Sequence, residues 1–151
     1  MVPHRILLLQ LLLLFPLLVH AAVAVSIAIY SVLDERDPYH WAIFLDGEKQ
    51  AILQVGDDVG GVGYFVEAPI YDKSPQRSSR LLESISLGTL KAFEFATAIG
   101  VIQHTPVDND SETWNCQSWA IEELDRLSTM TSFEWEAGKR SIMEGKRQHW
   151  Q

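Results

Sequence analysis

The spacing of apolar residues changes once along this chain, from strand-like to helical, and the direction of that change limits the folds open to it. "VSIAIYSV", residues 25–32, is apolar at both parities, the pattern of a central strand covered on both faces. "HWAIFLD" reads as a second strand near residues 39–46. Asp46-Gly47 is a turn signal, and "AILQV" returns as a third strand. "GDDVGGVG" reads as a hairpin loop before "YFVEAPI", the fourth strand. A polar loop holding Pro75 leads to "LLESISLGTL", a fifth strand expected to end near Gly88. Beyond it the spacing is helical. "LKAFEFATAI" should stop at Gly100, a helix should run from Asn115 to about Ser128, and a last one from about Ser132 to Arg147. Strands first and helices later predict an α+β domain, an antiparallel sheet of about five strands packed against helices.

The segment before the first strand has a separate character. "MVPHRILLLQLLLLFPLLVHAAVA" has Arg5, then an apolar stretch, then small residues suited to cleavage after Ala21 or Ala24. Residues 1–24 are read as a signal peptide, with an uncleaved membrane anchor as the alternative, because the apolar run continues into "VAVSIAIYSVL". Either way residues 25–151 form one exported domain, secreted or anchored. Its only membrane contact would be through that segment. The formal net charge of -8, with no Lys/Arg cluster, argues against nucleic acid as a partner.

The only cysteine, Cys116, stands where a helix should begin, just after Asn115, a favoured N-cap residue. Unpaired N–H groups and the positive end of the helix dipole favour a thiolate there, and can lower a cysteine pKa to about 3.5–7.5. The same N–H groups could hold an oxyanion. The competing reading is plain packing. Cys116, Trp119 or Ala120, Leu124 and Leu127 share one helical face, and free cysteine behaves as a small hydrophobe. A nucleophile needs a base. His40 opens an otherwise apolar strand, at an end where it could meet a helix terminus.

"HWAIFLDG", "ILQV" and "NCQSW", in that order, resemble the permuted papain-like group related to NlpC, which includes lecithin-retinol acyltransferase and its phospholipid-acyltransferase relatives. The resemblance implies a permuted papain-like fold in which Cys116 is the nucleophile and His40 the base. Gln54 falls where acyltransferase members often have a second histidine. This is a departure: an amide can orient an imidazole but brings no charge. Asn115 and Gln117 flank the cysteine as candidates for orienting the site or binding the oxyanion. The chemistry implied is a thioester on Cys116, resolved by water in a hydrolase or by another nucleophile in an acyltransferase, with a small acyl or peptide substrate. Residues 25–147 also resemble a group of small fungal proteins with "HWA", "NCQ" and a tryptophan-rich tail, which names no activity.

No cofactor or metal is implied. The glycine-rich "GDDVGGVG" lacks the Gly-Lys-Ser/Thr ending of a P-loop, and Asp57, Asp58, Asp108 and Asp110 match no calcium loop. Asn109-Asp110-Ser111 is a glycosylation acceptor sequence. The alternative to an enzyme is a non-catalytic secreted binding module of the same fold. It would have a buried core cysteine and bind through exposed aromatics such as Trp114 and Trp119.

Overall fold

The computed structural model describes residues 22–57 and 63–149. The architecture is α+β. Strands β1 (Val23–Tyr30), β2 (His40–Asp46), β3 (Gln50–Leu53), β6 (Ile70–Tyr71) and β7 (Leu81–Leu90) form one antiparallel sheet in the order β6-β3-β2-β1-β7. Strands β4 (Val55–Asp57) and β5 (Tyr64–Val66) form a separate two-stranded ribbon. The helices are α1 (Phe95–Gln103), α2 (Cys116–Met130) and α3 (Ala137–His149).

Alternation along the strands creates two cores. Val25, Ile27 and Ile29 of β1 lie opposite Leu45, Ile43 and Trp41 of β2, so all six share one face. That face packs with Ala98 and Ile102 of α1, Trp119, Ala120, Leu124 and Leu127 of α2, and Phe133. Each large side chain so buried stabilises the fold by about 1.5–3 kcal/mol. The other face carries Ala42, Phe44 and Ile52, with Tyr30 and Ile70 packed against them. β1 is fully buried on the first face, while on the second only Ala28 is buried and Ala24, Ser26 and Tyr30 stay partly exposed, less cover than its composition predicts.

Several boundaries differ from expectation for physical reasons. β1 begins at Val23, which is buried and pairs with Leu90. Cleavage after Ala24 would remove two paired residues from the strand, whereas cleavage after Ala21 would leave it whole. The remainder of the expected signal or anchor, residues 1–21, lies outside the described residues. "AILQV" is two strands: Leu53 ends β3, and Val55 begins the ribbon. "YFVEAPI" divides likewise, into β5 and the edge strand β6. β7 runs through Gly88 to Leu90. A Cβ at position 88 would stand 2.8 Å from the Glu134 backbone oxygen, so glycine there answers a close approach and not a strand end. α1 starts later than expected, after a 3-10 turn at Ala92–Glu94, and continues past Gly100 to a cap at His104. α3 starts at Ala137, after Phe133 and Trp135 have entered the core. Among the described residues no helix is long and apolar enough to cross a membrane.

Candidate active site

The site forms where the chain changes sheets. β2 and β3 pair from Asp46↔Gln50 to Ile43↔Leu53. β3 ends at Leu53, and from Val55 the chain runs into the β4–β5 ribbon. The edge of β2 around His40 therefore loses its strand partner, and its backbone groups need others. The start of α2 supplies them. Gln117 Nε2 donates to the Tyr39 carbonyl at 3.1 Å, and the Cys116 thiol points to the same oxygen at 3.8 Å. The Trp41 N–H is directed at the Cys116 sulfur. Cys116 thus sits against the backbone on both sides of His40, at the open edge of the sheet.

Asn115 brings it there by capping α2 as its residue type predicts. Its Oδ1 accepts from the N–H groups of Gln117 (2.9 Å) and Ser118 (3.3 Å). Ser118 Oγ accepts in return from the Asn115 N–H at 3.4 Å, completing a reciprocal cap. Arg147 of α3 donates to the same hydroxyl at 2.6 Å, which ties the last helix to the start of α2. The cap has a chemical consequence. It occupies two of the first N–H groups of the helix, which the sequence alone left available to an oxyanion. Gln117 is fully buried beneath the cysteine, so it holds β2 to α2 instead of facing the cavity.

His40 and Cys116 line one cavity of about 380 Å³, together with Val32, Asp37, Gln54, Asp57, Tyr64 and Glu67. This falls within the size range of small-molecule sites, roughly 300–1,000 Å³. His40 Nε2 lies 3.0 Å from Gln54 Oε1. Alternation explains the contact: Gln54 follows Leu53, whose partner is Ile43, so its side chain leaves on the opposite face, the one that Ala42 and His40 share. The His40 ring also rests against Tyr30, its cross-strand partner, with centroids 6.1 Å apart.

Glu67 was not singled out in the sequence. It accepts from Gln54 Nε2 at 2.6 Å. Its backbone N–H donates to the Gln54 carbonyl at 3.0 Å, so the two residues face each other where the ribbon joins the main sheet. A signal was present: Gln54 is the one polar residue of "AILQV" and Glu67 the one charged residue of "YFVEAPI". Asp57, read as a solvated loop residue, also reaches the cavity.

The thiol does not behave as a bare helix start would make it. Burial pushes the Cys116 pKa up, more than the N–H groups of Trp41, Gln117 and Cys116 itself pull it down, and the Asp57 carboxylate adds to the rise. The expectation of a lowered pKa is therefore corrected. It rested on an exposed helix terminus, and this one is 7% exposed. Tyr64 is raised too, first by burial and then by the nearby Cys116 and Asp57 charges.

No family model, curated protein or solved structure matches the chain.

Trp114 and Trp119 are both buried, so neither is the exposed aromatic expected of a binding module; Phe65, Tyr71 and Phe93 are exposed instead. Trp114 meets Tyr64 edge-on at 5.3 Å and donates from Nε1 to Glu122 at 3.0 Å. Asn109 is exposed, yet its amide is engaged: Oδ1 accepts from the Tyr64 N–H at 2.6 Å and Nδ2 donates to the Tyr64 carbonyl at 3.1 Å. It pins β5 as a neighbouring strand would. Among the described residues no three His, Cys, Asp or Glu side chains gather as a metal-binding group.

Proposed function

We propose that the protein is a cysteine-dependent hydrolase or acyltransferase, with Cys116 as nucleophile, His40 as base and Gln54 setting the imidazole's direction. The observation that carries this reading is that Cys116 and His40 line one ligand-sized cavity, with the ring already held by Gln54. Because the thiol is raised by burial, the mechanism is general-base attack and not a preformed ion pair. His40 takes the S–H proton as sulfur bonds to an acyl carbonyl carbon. The tetrahedral intermediate then collapses, and His40 returns the proton to the leaving group. A thioester on Cys116 remains, and water or a second nucleophile, deprotonated by His40, releases the acyl group. The resemblance to permuted papain-like acyltransferases supports the same assignment, and a small acyl or peptide substrate suits the cavity.

The burial of Cys116 within the main core favours a second reading, a secreted or anchored binding module whose cysteine only packs. Alkylation of the intact chain at neutral pH separates the two. In the enzyme, a small electrophile modifies Cys116 at a rate that falls on the order of a hundredfold in His40→Ala, the scale of general-base assistance. A thiol that is inert in the folded chain, or whose rate is unchanged in that variant, leaves the binding module.

A further inference from the structure

The hydrogen bonds around Gln54 settle a question that His40 alone leaves open, namely which ring nitrogen carries the proton. A carboxylate only accepts hydrogen bonds. Glu67 Oε2 lies 2.6 Å from the amide end of Gln54, so that end must be the NH2 group. The carbonyl end then faces His40 Nε2 at 3.0 Å, and since it can only accept, Nε2 must be protonated. In the neutral ring the lone pair is therefore on Nδ1. Without Glu67 nothing in this chain of bonds prevents the Gln54 amide from turning over. It would then present its NH2 group to Nε2 and draw the proton to Nδ1.

From this we infer that Glu67 is a positioning residue. Acting through Gln54, it holds His40 with its proton on Nε2, leaving Nδ1 as the nitrogen free to take the Cys116 proton. The inference rests on the proposed role of His40 as base, and it accounts for the departure at position 54. A directly bonded charged partner is replaced by an amide with a carboxylate behind it.

A second observation supports it independently. A Cβ on Gly56 would stand 2.5 Å from Glu67 Oε1, so the carboxylate occupies the space that any other residue at 56 would fill. The backbone of Glu67 is held from a third side, by Gln103 Nε2 of α1 at 2.9 Å from its carbonyl. The carboxylate is thus seated by β4 and the facing Gln54, and the backbone behind it by α1.

The test is the tautomer itself, read by long-range proton–nitrogen NMR on the full chain labelled at histidine. The pH is set above the ordinary histidine range so that the ring is neutral, and His40 is assigned from the His40→Ala spectrum. Wild type should show the Nε2–H form. Glu67→Gln should lower the ratio of Nε2–H to Nδ1–H about tenfold, the worth of roughly one neutral hydrogen bond. Gly56→Ala should shift it in the same direction with the carboxylate still in the chain, and it carries the test if Glu67→Gln does not fold. In Gln54→Leu the further change Glu67→Gln should add nothing, since the link is already cut. An Nδ1–H wild type, or a ratio unmoved by both Glu67→Gln and Gly56→Ala, overturns the inference. An inert Cys116 alongside the expected tautomer shifts overturns the catalytic reading and leaves the control of His40 by Glu67 standing.

Discussion

Replacing Glu123 with glutamine should abolish a pH dependence of stability that the native chain carries. Glu123 lies on the buried side of α2 and is wholly excluded from solvent. The nearest cation is Arg126, whose Nε is 3.9 Å from Oε1, too far for a hydrogen bond. Burial raises its pKa from 4.5 to about 7, against the pull of the Thr105 hydroxyl and Arg126, while Glu122 adds to the rise. The folded state thus prefers the neutral acid. The sign follows: the favourable difference is complete below the unfolded pKa of 4.5 and is lost as the pH rises through about 7. At about 1.4 kcal/mol per pKa unit, the loss is about 3 kcal/mol. Urea unfolding of both chains between about pH 4.5 and pH 8 measures it directly. Wild type and Glu123→Gln should be close at the acid end, and the variant should be more stable by up to about 3 kcal/mol at the alkaline end. A difference that stays flat across the range refutes the assignment of a buried, proton-holding carboxyl at this position.

Further outcomes follow from the site and its supports. Asn115→Ala removes the acceptor for two N–H groups and should cost about 1 kcal/mol in urea unfolding, while exposing the Cys116 thiol to faster alkylation. Asp57→Asn should lower the Cys116 pKa, visible as an acid shift in the pH profile of its alkylation, because the Asp57 charge helps to raise it. Asp37, Asp57 and Glu67 line the cavity, with no lysine or arginine lining it among the described residues. A cationic thiol reagent should therefore modify Cys116 about tenfold faster than an anionic one of equal size, and added salt should narrow the gap. Gly88→Ala should destabilise the chain by about 1–3 kcal/mol, read as a lower thermal midpoint, because its methyl group meets backbone.

The fold class was legible because periodicity reports burial, and burial here follows the sheet closely. The β-branched, doubly apolar stretch lies inside the sheet, paired on both edges, and the segment opening with His40 starts its strand at that residue. Strand breaks at Gln54 and after Val66 were not legible, since a strand leaving one sheet for another keeps its local pattern. Gly100 shows the opposite failure. A helix-stopping residue type sits inside α1, where a Cβ would meet nothing within 4 Å, so neither packing nor conformation demands a stop. The capped start of α2 was readable from Asn115 and Cys116, because a cap is local. The state of the thiol was not, since burial by residues far away in the chain decides it. Glu67 escaped for the same reason: its partner Gln54 is thirteen residues earlier, and only pairing across the ribbon brings them together.

The two-stranded ribbon leaves the body of the protein at Gln54 and rejoins it at Glu67, and these same residues steer the imidazole. On the proposed mechanism, a displacement of the ribbon would reach the ring through those two side chains. Tyr64 and Asp57 of the ribbon line the same cavity as His40, so a molecule held there would touch the ribbon and the ring together.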